Sequence, residues 1–164
     1  MNVKLIKPIT VLGLLISNCV FSQVPVTARA NQQELLKSTN TKLANNKKLV
    51  YDFWREVFEG GHLELTDKYL TENYIQHNPN VPTGRKAFVD FFSKFAKPQP
   101  IQKTIKAPIV SIVAEGNLVI LTFVRELPDP NDTSKKYTTT WFDMFRIENH
   151  KIAEHWDNAE KMKF

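Results

Sequence analysis

The sequence predicts an α+β domain in which three helices pack on a curved, mostly antiparallel sheet. Apolar residues recur with a helical period over residues 46–61 and again over residues 83–97. After Pro100 the apolar period changes to two, in four β-rich runs separated by turn signals. Helices that precede a meander of strands gather on one side of the sheet, and a strongly twisted sheet curls into a concave surface.

The composition is that of a single globular domain. The chain has 164 residues, of which 42% are hydrophobic and 24% charged, unlike a disordered chain. Its formal charge is +5, but Lys4, Lys7 and Arg29 lie in a segment that we expect to be removed. Without these three of the 22 basic residues, 19 remain against 17 acidic ones. No basic run is then left to follow a phosphate backbone, so we expect no nucleic acid partner.

Residues 1–30 have the features of a signal peptide. A short positive region precedes the apolar stretch ITVLGLLIS, which is too short to span a bilayer. Ala28 and Ala30 then form an A-x-A-like cleavage site, so the mature protein would begin at Asn31. This predicts a periplasmic or secreted protein with no stable membrane insertion after cleavage.

Cys19, the only cysteine, allows the alternative of a lipoprotein. An acyl chain on this residue would tether the protein to a membrane. Lipoprotein sites usually carry a small residue before the cysteine, whereas this chain has Asn18 there. We therefore favour cleavage after Ala30, which leaves a chain that has no disulfide and depends on its core for stability.

We expect a polar linker over residues 31–45 and the folded domain over residues 46–164. Residues 31–45 lack a sustained apolar period, which is typical of a linker. Leu35 and Leu36 leave the alternative of a short helix in this segment.

Three helices and one strand are predicted between residues 46 and 97. The first helix starts at an N-cap, Asn45 or Asn46, and ends at Gly60–Gly61. The stretch LELTDKYL fits a second, short helix, and TENYIQHN fits a strand. We expect Thr83 to cap the third helix. Its apolar face is a row of phenylalanines at helical spacing: Phe88, Phe91, Phe92 and Phe95.

Four strands follow as a meander. The runs KTIKAPIVSIVAE and LVILTFVREL are joined at Gly116–Asn117, a hairpin turn signal. After the loop PDPNDTSKK, the runs YTTTWFDMFRIE and KIAEHWD are joined tightly through Asn149 and His150. A curled sheet under three helices leaves a concave interior that could hold a ligand.

Two polar clusters could reach this interior. In YIQHNPNVPTG, His77 and Asn78 stand where the first strand ends, and in EHWD, His155 and Asp157 share one face of the last strand. Alternation alone does not tell which face points inward, and a bulge between Ile152 and His155 could shift the phase. A carboxylate in a dry cavity can take a proton from a carbon next to a carbonyl, whereas a surface carboxylate would only form a salt bridge.

Other kinds of site find less support in the sequence. His77, His155 and Asp157 form the donor set of non-haem iron sites, but the H-x-D pair is short and unspecific, so we expect no metal. The sequence has neither the G-x-S-x-G motif of a serine nucleophile nor a glycine loop that would bind phosphate.

The stretches YIQHNPNVPTGRKAFVDFF and FDMFRIENHKIAEHWDNAE resemble the SnoaL-like polyketide cyclase family, within the nuclear-transport-factor-2-like (NTF2-like) superfamily. The resemblance covers about residues 46–164 and is greatest to the branch of predicted SnoaL-like aldol-condensation enzymes. It implies a cone-shaped α+β barrel with a deep pocket, often assembled as a homodimer through the sheet. It also implies acid–base chemistry without a metal or an organic cofactor.

The resemblance further implies which residues act. Asp157 would be the acid/base that acts on an enolisable compound, and His77 and His155 would orient a carbonyl or stabilise an enolate. The side chains expected to contact the substrate are Tyr74, Asn78, Trp141 and Trp54.

These observations favour a cofactor-independent enzyme that acts through an enolate on a small carbonyl or polyketide-like compound. Aldol cyclisation, isomerisation and dehydration all share that step. The alternative is a non-catalytic envelope protein that binds a small apolar ligand in the same pocket. A third possibility is a partner-binding module that uses the surface of the sheet.

Overall fold

The computed structural model describes residues 23–163. Residues 1–22 of the expected signal peptide, with Cys19, lie outside this range. The helical elements are a 3₁₀ helix at Gln32–Leu36, α1 at Thr41–Phe53 with a π-helical turn at Trp54–Phe58, a 3₁₀ turn at Leu63–Leu65, α2 at Thr66–Tyr69 and α3 at Arg85–Phe92. The strands are β1 at Leu70–Gln76, β2 at Ile109–Glu115, β3 at Leu118–Pro128, β4 at Lys136–Glu148 and β5 at Lys151–Asp157.

The five strands form one sheet in the order β1-β5-β4-β3-β2. β1 runs parallel to β5, and the other neighbours are antiparallel. β4 and β5 are joined by Asn149 and His150, whose φ angles of 49° and 62° are those of a tight hairpin turn. No helix within residues 23–163 has the length and apolar character needed to cross a bilayer.

The core lies between α1 and the concave face of the sheet. Phe53 on α1 is at its centre, with ring centroids 6.0 Å from Tyr69, 6.2 Å from Phe88 and 6.1 Å from Phe145. Aromatic pairs at these separations add to the free energy gained by burial of the rings. The helices and the sheet are therefore joined by one aromatic cluster.

A bulge in β5 decides which of its side chains point inward. Arg146 on β4 is opposite Glu154, but the next residue, Ile147, is opposite Ile152, so β5 carries one extra residue. As a result, Ile152 and His155 are both buried, at 0% and 7% exposure, although they are three positions apart. The phase shift considered from the sequence is present, and it turns His155 and Asp157 toward the concave side.

The segment 31–45 is not a polar linker. Residues Gln32–Leu36 form a 3₁₀ helix, as the alternative held, and α1 begins at Thr41 with Asn40 as its N-cap rather than Asn45 or Asn46. The side chain of Gln32 holds the 3₁₀ helix against the rest of the domain, because its Oε1 accepts hydrogen bonds from the Tyr51 hydroxyl at 2.7 Å and from the Ile105 amide at 3.0 Å.

The start of α3 also differs from the prediction. Its N-cap is Gly84, with a φ of 101°, and no side chain caps the helix. Thr83 instead fastens the loop back to β1, since its hydroxyl accepts from the Gln76 amide at 3.1 Å and donates to the Gln76 carbonyl at 3.2 Å.

The phenylalanine row of α3 is only partly buried. Phe88 is 3% exposed, whereas Phe95 lies beyond the end of the helix and is 59% exposed. Phe91 and Phe92 are half-buried. The row was expected to pack on the sheet, but it leaves the sheet face open and lines a cavity instead.

Candidate active site

A cavity of about 920 Å³ opens between α1, α3 and the concave face of the sheet. This volume lies at the upper end of the range for small-molecule sites. Eleven of its 26 lining residues are aromatic: Phe53, Trp54, Phe58, Tyr74, Phe88, Phe91, Phe92, Phe95, Phe123, Trp141 and Phe145. The cavity is therefore suited to a ligand with an extensive apolar body.

A chain of three polar side chains crosses the inner part of this cavity. His155 is bonded through Nδ1 to Gln76 Oε1 at 2.7 Å and through Nε2 to Asp143 Oδ1 at 2.9 Å. The backbone amide of Asn78 also donates to Gln76 Oε1, at 3.0 Å. This second donor fixes Oε1 as an acceptor, so the Nδ1 atom of His155 must carry a proton.

The hydrogen bond between His155 and Asp143 then requires one more proton. With Nδ1 protonated, a neutral imidazole has only a lone pair on Nε2. The 2.9 Å bond forms either when Asp143 is protonated and donates to Nε2, or when His155 is an imidazolium and donates to a carboxylate. In both forms the pair holds a transferable proton and has no net charge.

Asp143 lies in a strongly desolvated position. Burial raises the pKa of its carboxyl, the charge of Asp157 raises it further, and the bond to His155 opposes the shift. Its second oxygen, Oδ2, is buried and has no hydrogen-bond partner among residues 23–163. A buried polar atom without a partner is costly, and such atoms are frequent where a ligand binds.

Asp157 lies opposite Asp143 across the β4–β5 pairing. Its Oδ2 accepts from the Asn78 side chain at 2.6 Å and its Oδ1 accepts from the Ala159 amide at 3.0 Å. Two donors hold the carboxylate in one orientation at the cavity wall, where it is half-buried.

The hydroxyl of Tyr74 is an uncharged donor in the same cavity as the two carboxyls. Burial raises the pKa of Tyr74, and the charges of Asp143 and Asp157 raise it further. The oxygen accepts from Gln76 Nε2 at 3.2 Å, while the hydroxyl proton has no acceptor among residues 23–163. Tyr74 therefore stays protonated and can donate to a ligand in the cavity.

The same cluster is where a metal ion would bind. One ligand atom each from Asp143, His155 and Asp157 lies within 4.8 Å of the others. The bond from His155 Nδ1 to Gln76 also resembles the outer hydrogen bond of metal-bound histidines. The cluster is not the set considered from the sequence, because Asp143 takes the place of His77.

The profile of the SnoaL-like domain matches residues 50–155, which is more than half of the 164 residues. The chain belongs to the SnoaL-like domain family. No curated protein matches it.

Solved structures place this SnoaL-like chain in the NTF2-like fold. A candidate polyketide cyclase from Acidithiobacillus ferrooxidans aligns with a TM-score of 0.50 and 19% identity, over 74% of this chain and 89% of that one. A candidate SnoaL-like polyketide cyclase from Jannaschia sp. CCS1 aligns with a TM-score of 0.50 and 12% identity, over 74% of this chain and 91% of that one. At such identities the likeness concerns the fold, an α+β cone of helices on a curved sheet.

The SnoaL-like cavity brings together six of the seven residues predicted for the site. These are Asp157, His155, Tyr74, Asn78, Trp141 and Trp54. His155 and Asp157 belong to the polar cluster, whereas Trp54 and Trp141 form part of the aromatic wall.

His77 is the exception, because it lies on the outer face of the sheet. Its Nε2 pairs with Glu154 Oε1 at 2.7 Å, and its ring stacks on Trp156 with 4.9 Å between centroids. Strand alternation explains this, since Tyr74, Gln76 and Asn78 point one way and His77 points the other. The expectation that His77 faces the ligand was wrong.

Asp143 and Gln76 are the two members of the cluster that the sequence analysis missed. Asp143 could have been found, because it is the one acidic residue within the aromatic run WFDMF and shares a strand face with Trp141 and Phe145. Gln76 shares the face of Tyr74 in the same way, but a glutamine at a strand end carries little signal by itself.

Proposed function

We propose that this SnoaL-like protein is a cofactor-independent acid–base enzyme that acts through an enolate on a small carbonyl compound with an apolar body. The observation that carries the proposal is the cluster of Asp143, His155 and Asp157 at the wall of an aromatic cavity. It combines a fixed carboxylate that can accept a proton with a pair that holds one. Aldol cyclisation, isomerisation and dehydration all need that combination.

Asp157 is the proposed base. It takes a proton from the carbon next to the substrate carbonyl. The electron pair of that C–H bond forms a C=C bond, and the π pair of the carbonyl moves to its oxygen. Its hydrogen bonds to Asn78 and Ala159 leave further lone pairs for this proton and hold the carboxylate against the cavity wall.

Tyr74 stabilises the enolate oxygen, and the Asp143–His155 pair supplies the proton that forms the product. The free proton of the Tyr74 hydroxyl can donate to the enolate oxygen, as an oxyanion hole does. The proton held between Asp143 and His155 can then pass to the opposite face of the enolate carbon, which completes an epimerisation. Asp157 afterwards releases its proton to solvent, and the pair takes one up. In an aldol reaction the proton of the pair passes instead to the alkoxide that forms when the enolate carbon attacks a second carbonyl.

Deuterium exchange tests the proposal without the natural substrate. The protein would be incubated in heavy water with a panel of β-keto esters and cyclic ketones, and deuterium entering the α-position would be followed by NMR or mass spectrometry. We expect exchange faster than in buffer for at least one compound. Asp157→Asn should abolish most of it, and Tyr74→Phe should lower it about 10²–10³-fold, the usual effect of one oxyanion donor.

Glu115→Gln is the matched control, because it makes the same carboxylate-to-amide change on an exposed residue outside the cavity. Equal exchange by the wild type and Asp157→Asn would exclude Asp157 as the base. No exchange across the panel, combined with measurable binding of the same compounds, would favour a protein that binds a small apolar ligand without turnover.

A further inference from the structure

The cavity wall includes a guanidinium group that the acid–base cluster does not use. Arg125 on β3 lines the cavity although the residue as a whole is exposed, so it lies at the mouth. Its guanidinium carbon is 5.0 Å from the ring centroid of Trp141. A cation over an indole ring is held in place by the electrostatic attraction of the ring face.

Arg125 differs in its contacts from three arginines of the helices and the sheet. Arg55, Arg85 and Arg146 each pair with at least one carboxylate. Within residues 23–163, the Arg125 side chain has no carboxylate within salt-bridge distance and donates no hydrogen bond. Its five N–H groups are therefore available at the entrance of a largely apolar cavity, where a bidentate partner would be a carboxylate.

The strand register gives the distance between Arg125 and the acid–base cluster. Asp157 is level with Asp143 across β4–β5, and Trp141 lies two residues farther along β4 toward the mouth. Arg125 is paired with Thr139, two residues beyond Trp141 on β4, but its guanidinium lies over the Trp141 ring. Two residues of a strand span roughly 7 Å, and neighbouring strands lie roughly 5 Å apart, so the guanidinium over Trp141 and the carboxyl of Asp157 are offset by these amounts along and across the sheet.

We propose that the substrate is a keto acid whose carboxylate binds Arg125 at the mouth while its carbonyl end reacts at Asp157. This inference rests on the proposed function for the reacting end of the molecule. The charges support the orientation, because Asp157 and Glu160 also line the cavity and would repel an anion elsewhere. The Asp143–His155 pair has no net charge and offers no competing site. A carboxylate therefore has one favourable position, at the mouth.

Paired ligands test the inference by binding alone. Dissociation constants would be measured by tryptophan fluorescence for 5-oxo-5-phenylpentanoate and for its methyl ester, which has the same length but no charge. We expect the wild type to bind the acid about tenfold more tightly, as for a partly exposed charge-assisted hydrogen bond. Arg125→Gln should bring the ratio of the two constants close to one, and Arg125→Lys should keep part of the preference because the positive charge remains.

Two controls separate a local contact from a general effect of charge. Lys136→Gln removes one positive charge from the same end of the sheet, outside the cavity lining, and should leave the preference for the acid in place. Phenylglyoxylate carries its carboxylate directly on the carbonyl carbon, so with that group at Arg125 its carbonyl cannot reach Tyr74. Tyr74→Phe should therefore leave its affinity unchanged while lowering that of 5-oxo-5-phenylpentanoate.

Equal affinity of the wild type for acid and ester would overturn the inference, and so would a preference that survives in Arg125→Gln. These outcomes are independent of catalysis. A preference that depends on Arg125, without deuterium exchange in any keto acid, would remove the proposed enzyme activity and leave an acid-binding protein. Deuterium exchange without a preference for acids would support the proposed enzyme activity and exclude a carboxylate site at Arg125.

Discussion

His155 Nε2 lies 2.9 Å from Asp143 Oδ1, and these two residues form the only buried histidine–carboxylate pair within residues 23–163. Because Gln76 binds the proton on Nδ1, the pair cannot exist as a neutral imidazole and a carboxylate without losing its hydrogen bond. The fold thereby stores a proton beside a second carboxylate, Asp157.

The pH dependence of stability should report on Asp143. Burial raises the pKa of this carboxyl in the folded state, whereas an unfolded chain has an aspartate pKa of about 3.9. The folded state therefore binds the proton more tightly. The resulting stabilisation is fully present below the unfolded pKa and is lost as the pH rises through the raised folded pKa.

Asp143→Asn removes this titration but retains a donor for His155 Nε2. We expect the unfolding free energy of the wild type, minus that of the variant, to fall as the pH rises from about 4 and to level off above the folded pKa of Asp143. Urea unfolding at a series of pH values measures both curves, and the subtraction removes the contributions of other groups. A difference that does not change with pH would contradict a raised pKa.

Substitutions of the neighbouring residues Asn78 and His77 should have different effects on the rate of α-proton exchange. The Asn78 amide donates to Asp157 at 2.6 Å, so Asn78→Ala frees the proposed base and should lower the rate of α-proton exchange about tenfold or more. His77→Ala changes the outer face only and should leave the rate within about twofold, while it removes the stacking on Trp156. Exchange rates of both variants, measured beside their unfolding curves, decide the matter. A large loss of exchange rate in His77→Ala, at unchanged stability, would show that His77 takes part in the reaction.

Phe88 and Phe95 provide a matched pair for the packing of α3. Phe88 is 3% exposed and contacts Phe53 and Tyr74, whereas Phe95 is 59% exposed. Phe88→Ala should cost about 3–5 kcal/mol of unfolding free energy, and Phe95→Ala should cost less than about 0.5 kcal/mol. Denaturant unfolding of the two variants checks this difference. Similar losses in both would mean that the helix packs along the whole row.

Local patterns were sufficient to predict the fold because its elements depend on periodicity. The change from a helical period to alternation marks the strands, and the Asn149–His150 turn falls where the sequence places it. The packing of the 3₁₀ helix before α1 was not predictable in the same way. It depends on Gln32, whose side chain accepts hydrogen bonds from Tyr51 and Ile105, residues that are distant in the sequence.

The site was predictable only as far as alternation could be applied. Strict alternation from Tyr74 would have chosen Gln76 and Asn78 and excluded His77; the chemistry of imidazole led to the wrong choice. For β5, alternation could not choose the inner face, because the bulge opposite Arg146 shifts the phase before His155. The proton shared by Asp143 and His155 depends on three strands meeting, which no single stretch of sequence reveals.

At the N-terminus, we propose export with removal of a signal peptide. Cleavage after Ala30 would discard contacts that the segment before it makes with the sheet. The amide of Val26 donates to Thr138 Oγ1 at 2.7 Å, and the amide of Arg29 donates to the Ile109 carbonyl at 2.7 Å. The side chain of Gln23 donates to the Thr138 carbonyl, also at 2.7 Å. These bonds favour a mature chain that begins no later than Gln23.

A chain that starts at Gln23 should therefore be more stable than one that starts at Asn31. We expect a difference of about 1–2 kcal/mol, because each net hydrogen bond contributes about 0.5–1.5 kcal/mol and this segment is largely exposed. Urea unfolding of the two purified chains measures it, and intact-mass analysis of the exported protein identifies the natural N-terminus. Equal stability together with a natural start at Asn31 would show that the segment belongs to the signal peptide. A diacylated Cys19 at the N-terminus would instead identify a lipoprotein, whose mature chain keeps all of these contacts.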